Sequence, residues 1–229
     1  MEEHMKVSVI VPAYNEEKKI MDTVKALHKI SGINEIVVVD DGSEDSTALK
    51  AKEAGAKVII LPKNQGKGSA LNEGAKHVTG DIIVLADADL GDTAVEIEKL
   101  IEPIAYGKAD MSIAKITATR GSGGFGLVKG LSRFCVRFLT GRELSTVLSG
   151  QRAMKREVFN GLLPFEPGFG VEVGMTVKAL KLGYKIIEVP VKIKHSETGK
   201  DLKGFIHRGR QFNHILKVFF SLLLRGEHR

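Results

Sequence analysis

Short apolar runs alternate with amphipathic segments along the first half of this chain. Four runs rich in β-branched residues lie at 6–11, 35–39, 57–61 and 82–86. Nearly continuous apolar strands that alternate with helical segments are typical of a parallel sheet with helices on both faces. We therefore predict an α/β fold with a doubly wound, mostly parallel sheet. The predicted helices between and after these strands begin near Glu16, Asp45, Gly68 and Asp92.

The pattern changes in the second half of the chain. A glycine-rich stretch at 120–126 is either a flexible connector or a segment that approaches a ligand closely. Amphipathic patterns then predict helices at 127–140, 155–162 and 170–182. The pattern at 185–194 predicts extended chain, and Pro190 within it predicts an edge or bent strand because proline cannot donate a ladder hydrogen bond.

The last stretch, 205–224, combines basic and apolar residues in the pattern of an amphipathic helix. Its uninterrupted apolar segments are far shorter than the ~20 residues that span a bilayer, so we do not expect it to cross one. Packing on its own domain, contact with a membrane surface and contact with a second copy are all open for this segment.

Composition limits the kinds of protein that this chain can be. Its 229 residues are 43% hydrophobic, which suffices for one sizeable core, so we predict a single domain over 1–229. One cysteine, Cys135, excludes an intrachain disulfide, and no signal-peptide pattern precedes the first strand, so we expect a cytoplasmic protein. The net charge of +6 favours anionic partners. With no Trp and three Tyr, the chain lacks the basic and aromatic pattern of nucleic-acid binding.

Two carboxylates follow the fourth apolar run. Asp87 and Asp89 stand one residue apart, directly after the predicted strand. In an open parallel sheet, ligands bind just outside the carboxyl ends of the strands. Mg²⁺ and Mn²⁺ prefer one or two carboxylates together with substrate phosphates over a complete protein cage. The pair therefore predicts a divalent-metal site, although an acidic turn or a helix cap has the same pattern in isolation.

The loops after the first three strands carry complementary groups. Because the predicted strands are parallel, all strand-to-helix loops should lie on one edge of the sheet. There Asp40 or Glu16 could accept a hydrogen bond from a base or a ribose. Pro12 and Tyr14 offer a flat wall, and Lys67 with helix amides can meet a phosphate. These loop residues, taken together in this order along the chain, are a far more specific signal for a binding site than any one of them alone.

The chain resembles glycosyltransferase family 2, of the GT-A fold, in four strand-end motifs: Val-Pro-Ala-Tyr-Asn-Glu (11–16), Val-Asp-Asp-Gly-Ser (39–43), Asn-Gln-Gly-Lys-Gly (64–68) and Asp-Ala-Asp (87–89). The resemblance implies a UDP- or GDP-linked sugar donor and a Mg²⁺ or Mn²⁺ cofactor, with Asp40 near the base and Asp89 on the metal of the diphosphate. The donor-binding residues that it implies are Pro12, Ala13, Tyr14, Glu16, Asp40, Gly66, Lys67, Asp87 and Ala88. It divides the chain into a nucleotide-sugar-binding half at 6–117, an acceptor-binding half at 118–201 and a basic C-terminal helix at 202–229.

The second half of the chain resembles two subgroups of this family. Polyprenyl-phosphate sugar transferases, of the dolichol-phosphate mannose type, resemble it in residues 148–154. Glucosyl-3-phosphoglycerate synthases resemble it in the glycine-rich 121–126, in Gly150 and in residues 164–165 and 167–174. The polyprenyl-phosphate group often has glutamine where this chain has Gly91, so the synthases are the nearer resemblance.

The resemblance also implies particular catalytic and metal-binding residues. His195 follows the last predicted strand, where the synthases have a third metal ligand beside the two aspartates. Asp89 would act through the metal as the nucleoside diphosphate leaves. Glu172 would either remove the acceptor proton in an inverting reaction or hold sugar hydroxyls in a retaining one. A carboxylate at a helix start can also simply oppose the helix dipole. The acceptor-binding candidates are Gly150, Gln151, Arg152, Arg208 and Arg210.

We predict from these features a metal-dependent transferase of hexose to a phosphate-bearing acceptor. The acceptor is either a small glycerate-like metabolite or a polyprenyl phosphate, in which case the protein would lie at the inner face of the membrane. A homodimer is implied by the synthases. The competing class is a non-catalytic protein that binds nucleotide sugars. A nucleotidyltransferase is disfavoured because its loop after the first strand usually carries glycine and a base, whereas residues 12–16 have neither.

Overall fold

The computed structural model describes residues 5–116, 126–166 and 170–193, together with the helical positions 216, 219–221 and 223. The strands are β1 (Val7–Ala13), β2 (Ile33–Asp40), β3 (Lys57–Ile60), β4 (Ile82–Leu85), β5 (Met111–Ile116), β6 (Arg152–Lys155) and β7 (Ile186–Val191). The helices are α1 (Ile20–Leu27), α2 (Thr47–Glu53), α3 (Lys67–Ala75), α4 (Glu98–Ala105), α5 (Leu127–Thr140), α6 (Arg156–Leu162) and α7 (Val171–Lys181). A 3-10 helix, Gly91–Ile97, precedes α4.

The strands form one sheet in the order β3-β2-β1-β4-β6-β5-β7. Strand β1 pairs in parallel with β2 and β4, β2 pairs in parallel with β3, and β5 pairs in parallel with β7. Strand β6 alone in this sheet is antiparallel to its neighbours, β4 and β5. The predicted α/β fold with a mostly parallel sheet is confirmed. Pro190 lies in β7, at the edge of the sheet as predicted.

The apolar pattern did not predict β5 or β6. Strand β6 has only four residues and begins and ends with Arg152 and Lys155, so it lacks the apolar run of a buried strand. Its strand conformation comes from pairing with β4 on one side and β5 on the other. Arg152 is fully buried between these neighbours. Pairing with the neighbouring strands therefore stabilises a strand conformation that the local sequence does not favour.

The strand directions bring six loops to one edge of the sheet. Strands β1 to β5 all run the same way, because β4 and β5 are both antiparallel to β6. Strand β6 runs the opposite way, so its amino end reaches the edge where the other strands of this sheet have their carboxyl ends. The side chains predicted for the donor lie at this edge, as expected for an open parallel sheet.

Apolar side chains form a separate core on each face of the sheet. Along β1, Val9 and Val11 pack into one core, with α1 and α4, and Ile10 packs into the other, with α3, α6 and α7. This alternation follows from the period of two in a strand. A third apolar cluster, which includes Cys135 and Val177, joins α5 to α7. It fixes α5 beside the helix that carries Glu172.

The helices lie where the pattern predicted them, with small shifts at their starts. The helix expected from Glu16 begins at Ile20, because a turn comes first in which the backbone N–H groups of Lys19 and Ile20 donate to the Glu16 carbonyl oxygen at 3.0 Å. The helix expected near Asp92 begins as the 3-10 helix and continues as α4. The glycine-rich stretch up to residue 125 and nearly all of the predicted segment 202–229 lie outside the described residues.

Candidate active site

The centre of the site is a lysine between two carboxylates. Lys67, the first residue of α3, donates from its Nζ atom to Asp87 Oδ1 at 2.7 Å and lies 2.9 Å from Glu172 Oε1. Asp87 follows β4, and Glu172 lies in the first turn of α7. Burial opposes the charge on Lys67, but the two carboxylates outweigh it and raise the pKa of Lys67 above its ordinary value. This cation therefore joins the donor half of the molecule to the predicted acceptor half.

Gly150 packs directly against this junction. A Cβ atom at Gly150 would lie 2.5 Å from Lys67 Nζ and 2.6 Å from Asp87 Oδ1. Such distances are shorter than real Cβ contacts, so any larger residue here would push the side chain of Lys67 or Asp87 aside. The structure thus brings the predicted Gly150 to the side chains predicted for the donor.

Negative charge is concentrated at the same edge of the sheet. Burial and, after it, the negative charges of Asp89, Asp45 and Asp87 raise the pKa of Glu16 to about 7. Carboxylate oxygens in such a field are the ligands that Mg²⁺ and Mn²⁺ prefer, so Asp87 and Asp89 fit the predicted cation. Within the described residues, no three His, Cys, Asp or Glu side chains form a metal-binding group. His195 lies outside these residues, and its ligand role stays a prediction.

The carboxylate of Asp41 holds the loops after β2 and β3 together. Asp41 is buried and accepts hydrogen bonds from the backbone N–H groups of Gln65 at 2.8 Å and Gly66 at 2.7 Å. These bonds fix the start of α3 and therefore Lys67. The sequence motif contained Asp41, but no role was predicted for it; a carboxylate next to a strand end and a glycine is the signal that could have indicated one.

Most of the other predicted donor residues lie at this edge. Asp40 is buried and accepts hydrogen bonds from the backbone N–H of Ser43, at 3.1 Å, and from its hydroxyl group. Tyr14 is 43% exposed, so its ring is accessible as the predicted wall. Ala88 is buried, and its carbonyl oxygen accepts from the hydroxyl of Thr23 at 2.8 Å. Pro12 and Ala13 are the last two residues of β1, and Gly66 directly precedes α3.

The predicted acceptor contact of Arg152 does not fit its surroundings. Its guanidinium group is fully buried and donates to the carbonyl oxygens of Ser149 at 3.0 Å, Val147 at 2.7 Å and Glu172 at 3.1 Å, and to the hydroxyl of Thr176 at 2.9 Å. Burial lowers the pKa of Arg152 to about 10, so it remains charged at neutral pH. Arg152 therefore ties the loop before β6 to the first turn of α7 and positions Glu172.

Gln151 has a similar supporting position. Its side chain is buried, its amide nitrogen donates to Asp87, and its oxygen accepts from the Ser149 hydroxyl at 3.1 Å. The contact with Asp87 orients a candidate metal ligand, and the predicted acceptor contact of Gln151 stays a prediction. Arg208 and Arg210, also predicted for the acceptor, lie outside the described residues.

A cavity of about 480 Å³ opens beside Asp87 and Gly150. It extends past the carboxyl end of β5 to the exposed side of α5. Its basic side chains are Lys115, Lys129 and Arg133, and its hydroxyl groups come from Ser132, Ser145, Thr146 and Ser149. None of the three bases was predicted, because a lysine at a strand end or on a helix surface has the same pattern as an ordinary solvated residue.

The model of the family described as "Glycosyl transferase family 2" matches residues 8–163. This chain belongs to glycosyl transferase family 2. The resemblance drawn from the strand-end motifs is thereby confirmed. None of the helices in the described part of the chain has both the length and the hydropathy of a membrane span.

Curated relatives include proteins of both subgroups. An uncharacterised protein of Methanocaldococcus jannaschii is 32% identical over 96% of this chain and 91% of its own length. The glucosyl-3-phosphoglycerate synthase of Mycolicibacterium smegmatis is 32% identical over 75% of this chain and 63% of its own. The dolichol-phosphate mannosyltransferase of Pyrococcus furiosus is 33% identical over 87% of this chain and 60% of its own length. The chain thus spans less than two thirds of these two named enzymes.

Solved structures agree with the fold assignment. The glucosyl-3-phosphoglycerate synthase of Mycobacterium tuberculosis, in complex with Mn²⁺, uridine diphosphate and phosphoglyceric acid, superposes with a TM-score of 0.80. It is 28% identical, and the match covers 95% of this chain and 78% of the synthase. A second structure of the synthase contains Mg²⁺ and uridine diphosphate.

Proposed function

We propose that this protein is a Mg²⁺- or Mn²⁺-dependent hexosyltransferase that uses a UDP- or GDP-linked sugar and a phosphate-bearing acceptor. The observation that carries the proposal is the contact of Lys67 with both Asp87 and Glu172, beside a cavity with basic side chains that Asp87 also lines. A group-transfer enzyme must hold two substrates with their reacting atoms close together. The junction at Lys67 joins a candidate donor carboxylate to a candidate acceptor carboxylate in that way.

The donor side of the proposal rests on the edge loops. Asp87 and Asp89 would hold the divalent cation, which supplies charge neutralisation for the departing nucleoside diphosphate. The start of α3, fixed by Asp41, presents backbone N–H groups that suit a phosphate. Tyr14 and Asp40 would receive the nucleoside. The Mn²⁺ and uridine diphosphate of the mycobacterial synthase support this assignment.

Glu172 would act on the acceptor side. In an inverting reaction it would take the proton of the acceptor hydroxyl, and in a retaining reaction it would hold hydroxyl groups of the sugar. Arg152 fixes the backbone of Glu172, and Lys67 contacts its carboxylate. Arg152 is a positioning residue in this proposal, whereas Lys67 both orients Glu172 and would meet the donor phosphate. The configuration of the product at the anomeric carbon, read by NMR, distinguishes the two roles.

The cavity suits a small phosphate-bearing acceptor. Lys115, Lys129 and Arg133 can neutralise a phosphate, and guanidinium and ammonium groups are its usual partners. Its volume of about 480 Å³ lies within the range of small-molecule sites. The mycobacterial synthase was solved with phosphoglyceric acid, which supports a glycerate-like acceptor.

A polyprenyl phosphate is the second candidate acceptor. Phe134 and Phe138 lie exposed on α5, the helix that lines the cavity, and an apolar surface at the cavity suits an acceptor with a lipid chain. The similarity to the Pyrococcus mannosyltransferase and to an undecaprenyl-phosphate sugar transferase of Sodalis glossinidius also supports it. Both candidates share the phosphate that the basic side chains would bind.

A donor panel tests the proposal. UDP- and GDP-linked glucose, mannose, galactose and N-acetylglucosamine are incubated with Mg²⁺ or Mn²⁺ and with 3-phosphoglycerate or a polyprenyl phosphate, and nucleoside diphosphate release is measured. We expect metal-dependent release from one donor with one acceptor, reduced about 100-fold or more in Asp89→Ala.

Asp92→Ala is the matched control, because Asp92 is an exposed carboxylate three residues further on, in the first turn of the 3-10 helix. We expect it to retain wild-type release. Donor binding without release for any acceptor would favour the non-catalytic alternative, and the absence of both binding and release would contradict the proposed function.

A further inference from the structure

The exposed side of α5 carries two parallel rows of side chains. Lys129, Arg133 and Arg137 follow one another at intervals of four residues, and Phe134 and Phe138 form a second row beside them. Residues four apart in a helix lie above one another on one face. All five are exposed, with Phe134 at 55% and Phe138 at 60%. A basic row beside an aromatic row is the pattern of a helix that lies at a membrane interface.

The aromatic row continues onto the C-terminal helical residues. Phe219 lies with its ring centroid 6.3 Å from that of Phe134 and 5.8 Å from that of Phe138. Phe220 packs against Phe219 at 5.5 Å and is itself 55% exposed. Two helical segments therefore contribute to one apolar surface. Large exposed apolar patches of this kind usually mark an interaction site.

We propose that this surface docks the protein on an anionic lipid membrane. The rings of Phe134, Phe138 and Phe220 would enter the boundary between headgroups and acyl chains, and Lys129 and Arg137 would contact lipid phosphates. Charge complementarity supports a lipid partner, because anionic headgroups attract juxtaposed basic side chains. The net charge of +6 also favours binding to an anionic surface.

A second copy of the chain fits this surface less well. In a two-fold interface the same patch faces itself, so the basic side chains of both copies would be brought into one contact. Like charges placed together in this way oppose association. Glu143, the acidic neighbour, already pairs with Arg137 at 2.8 Å. Single-stranded nucleic acid also fits less well, because the rings of Phe134 and Phe138 stack on each other rather than standing apart for bases.

The docking surface adjoins the candidate active site. Lys129 and Arg133 belong to the basic row and also line the cavity that reaches Asp87. Arg133 further donates from Nε and Nη2 to the Ser145 carbonyl oxygen at 3.1 and 2.8 Å, which ties the cavity wall to α5. A lipid-borne phosphate would therefore enter the cavity directly from the membrane. Only this last step rests on the proposed function; the docking itself does not.

Vesicle co-sedimentation of the full chain, without donor or metal, tests the docking. We expect binding to vesicles of phosphatidylcholine with phosphatidylglycerol and much weaker binding to phosphatidylcholine alone. Each basic residue near an anionic surface contributes about fivefold, so Lys129→Gln/Arg137→Gln should lower the partition coefficient roughly 25-fold. Phe134→Ser/Phe138→Ser should lower it about tenfold or more through the lost apolar contact.

Tyr106→Ser/Lys108→Gln is the matched control. Tyr106 is 75% exposed at the end of α4, and Lys108 Nζ lies 5.6 Å from its ring, so the pair has the same chemistry away from α5. Its vesicle binding should equal that of the wild type, and thermal melting should show that all variants fold. Wild-type protein that does not bind anionic vesicles, or binding that the aromatic variant leaves unchanged, would overturn the proposal. So would a dimer in sedimentation velocity that this variant converts to a monomer without any vesicle binding.

Because no donor is present in this assay, its failure leaves the donor-panel result intact. Conversely, vesicle binding without any transferase activity would support docking and contradict the proposed reaction.

Discussion

The donor side and the acceptor side of the candidate site are built in different ways. On the donor side, short loops after consecutive parallel strands hold one another through buried carboxylates, as Asp41 does for the start of α3. On the acceptor side, the walls come from β5, α5 and the loop before β6, and their bases are largely exposed. The first region is fixed by the parallel sheet itself. The second depends on contacts between segments far apart in the chain.

This difference suggests that the two regions respond differently to substitution. Changes at the shared junction should impair the whole reaction, whereas changes to the cavity bases should affect the acceptor alone.

Gly150→Ala should have the largest effect, because it acts on the junction itself. The added Cβ would displace Lys67 or Asp87, and displacement of reacting groups by about 1 Å can cost about 100-fold in rate. We expect kcat to fall by about that factor with every acceptor. Gly130→Ala is the control, because its Cβ would meet nothing within 4 Å on α5; it should leave kcat unchanged and slightly raise stability. Unchanged turnover in Gly150→Ala would contradict the described junction.

Arg152→Met should lower the free energy of unfolding by about 2 kcal/mol, because it leaves buried carbonyl oxygens such as that of Val147 without a donor. Urea denaturation measures this change. Arg137→Met, at an exposed arginine of α5, should change stability by less than about 0.5 kcal/mol. Equal stabilities for the two variants would show that the buried network does not support the site.

Lys115→Gln should separate the acceptor side from the donor side. Loss of one cation from the cavity should raise the KM for the acceptor about fivefold to tenfold and leave the KM for the donor unchanged. Lys108→Gln, at a lysine away from the cavity, should change neither constant. An equal change in both KM values would contradict the division into two sides.

The substitution Glu188→Gln should have the smallest effect of the four, and its effect on stability should depend on pH. Burial would raise the pKa of Glu188, but hydrogen bonds from Thr146 and Ser145 outweigh it and lower the pKa below its usual 4.5. A lowered carboxyl pKa contributes stability above 4.5 that is lost as pH falls through the lowered value. We expect Glu188→Gln to lower the free energy of unfolding by about 1 kcal/mol at pH 7. The gap between variant and wild type should shrink at pH values below 4.5. A gap that is independent of pH would contradict a role for the charged form.

The donor side could be predicted from the sequence because each motif follows its own apolar strand. Asp87 and Asp89 at the end of β4 illustrate this, since the strand before them fixes their position. The acceptor side could not be predicted in the same way. Strand β6 has no apolar run, and the burial of Arg152 follows only from pairing with β4 and β5. The chain pattern alone likewise cannot show that Lys115 and Arg133 meet in one cavity.

A crystal structure with Mg²⁺ and the nucleoside diphosphate that binds would test the central claim most directly. The account predicts the cation ~2.1 Å from carboxylate oxygens of Asp87 or Asp89. It also predicts the diphosphate beside Lys67 and the start of α3, next to the opening of the basic cavity. A cation held by other residues, or a nucleotide bound away from the carboxyl ends of β1, β2 and β4, would contradict it.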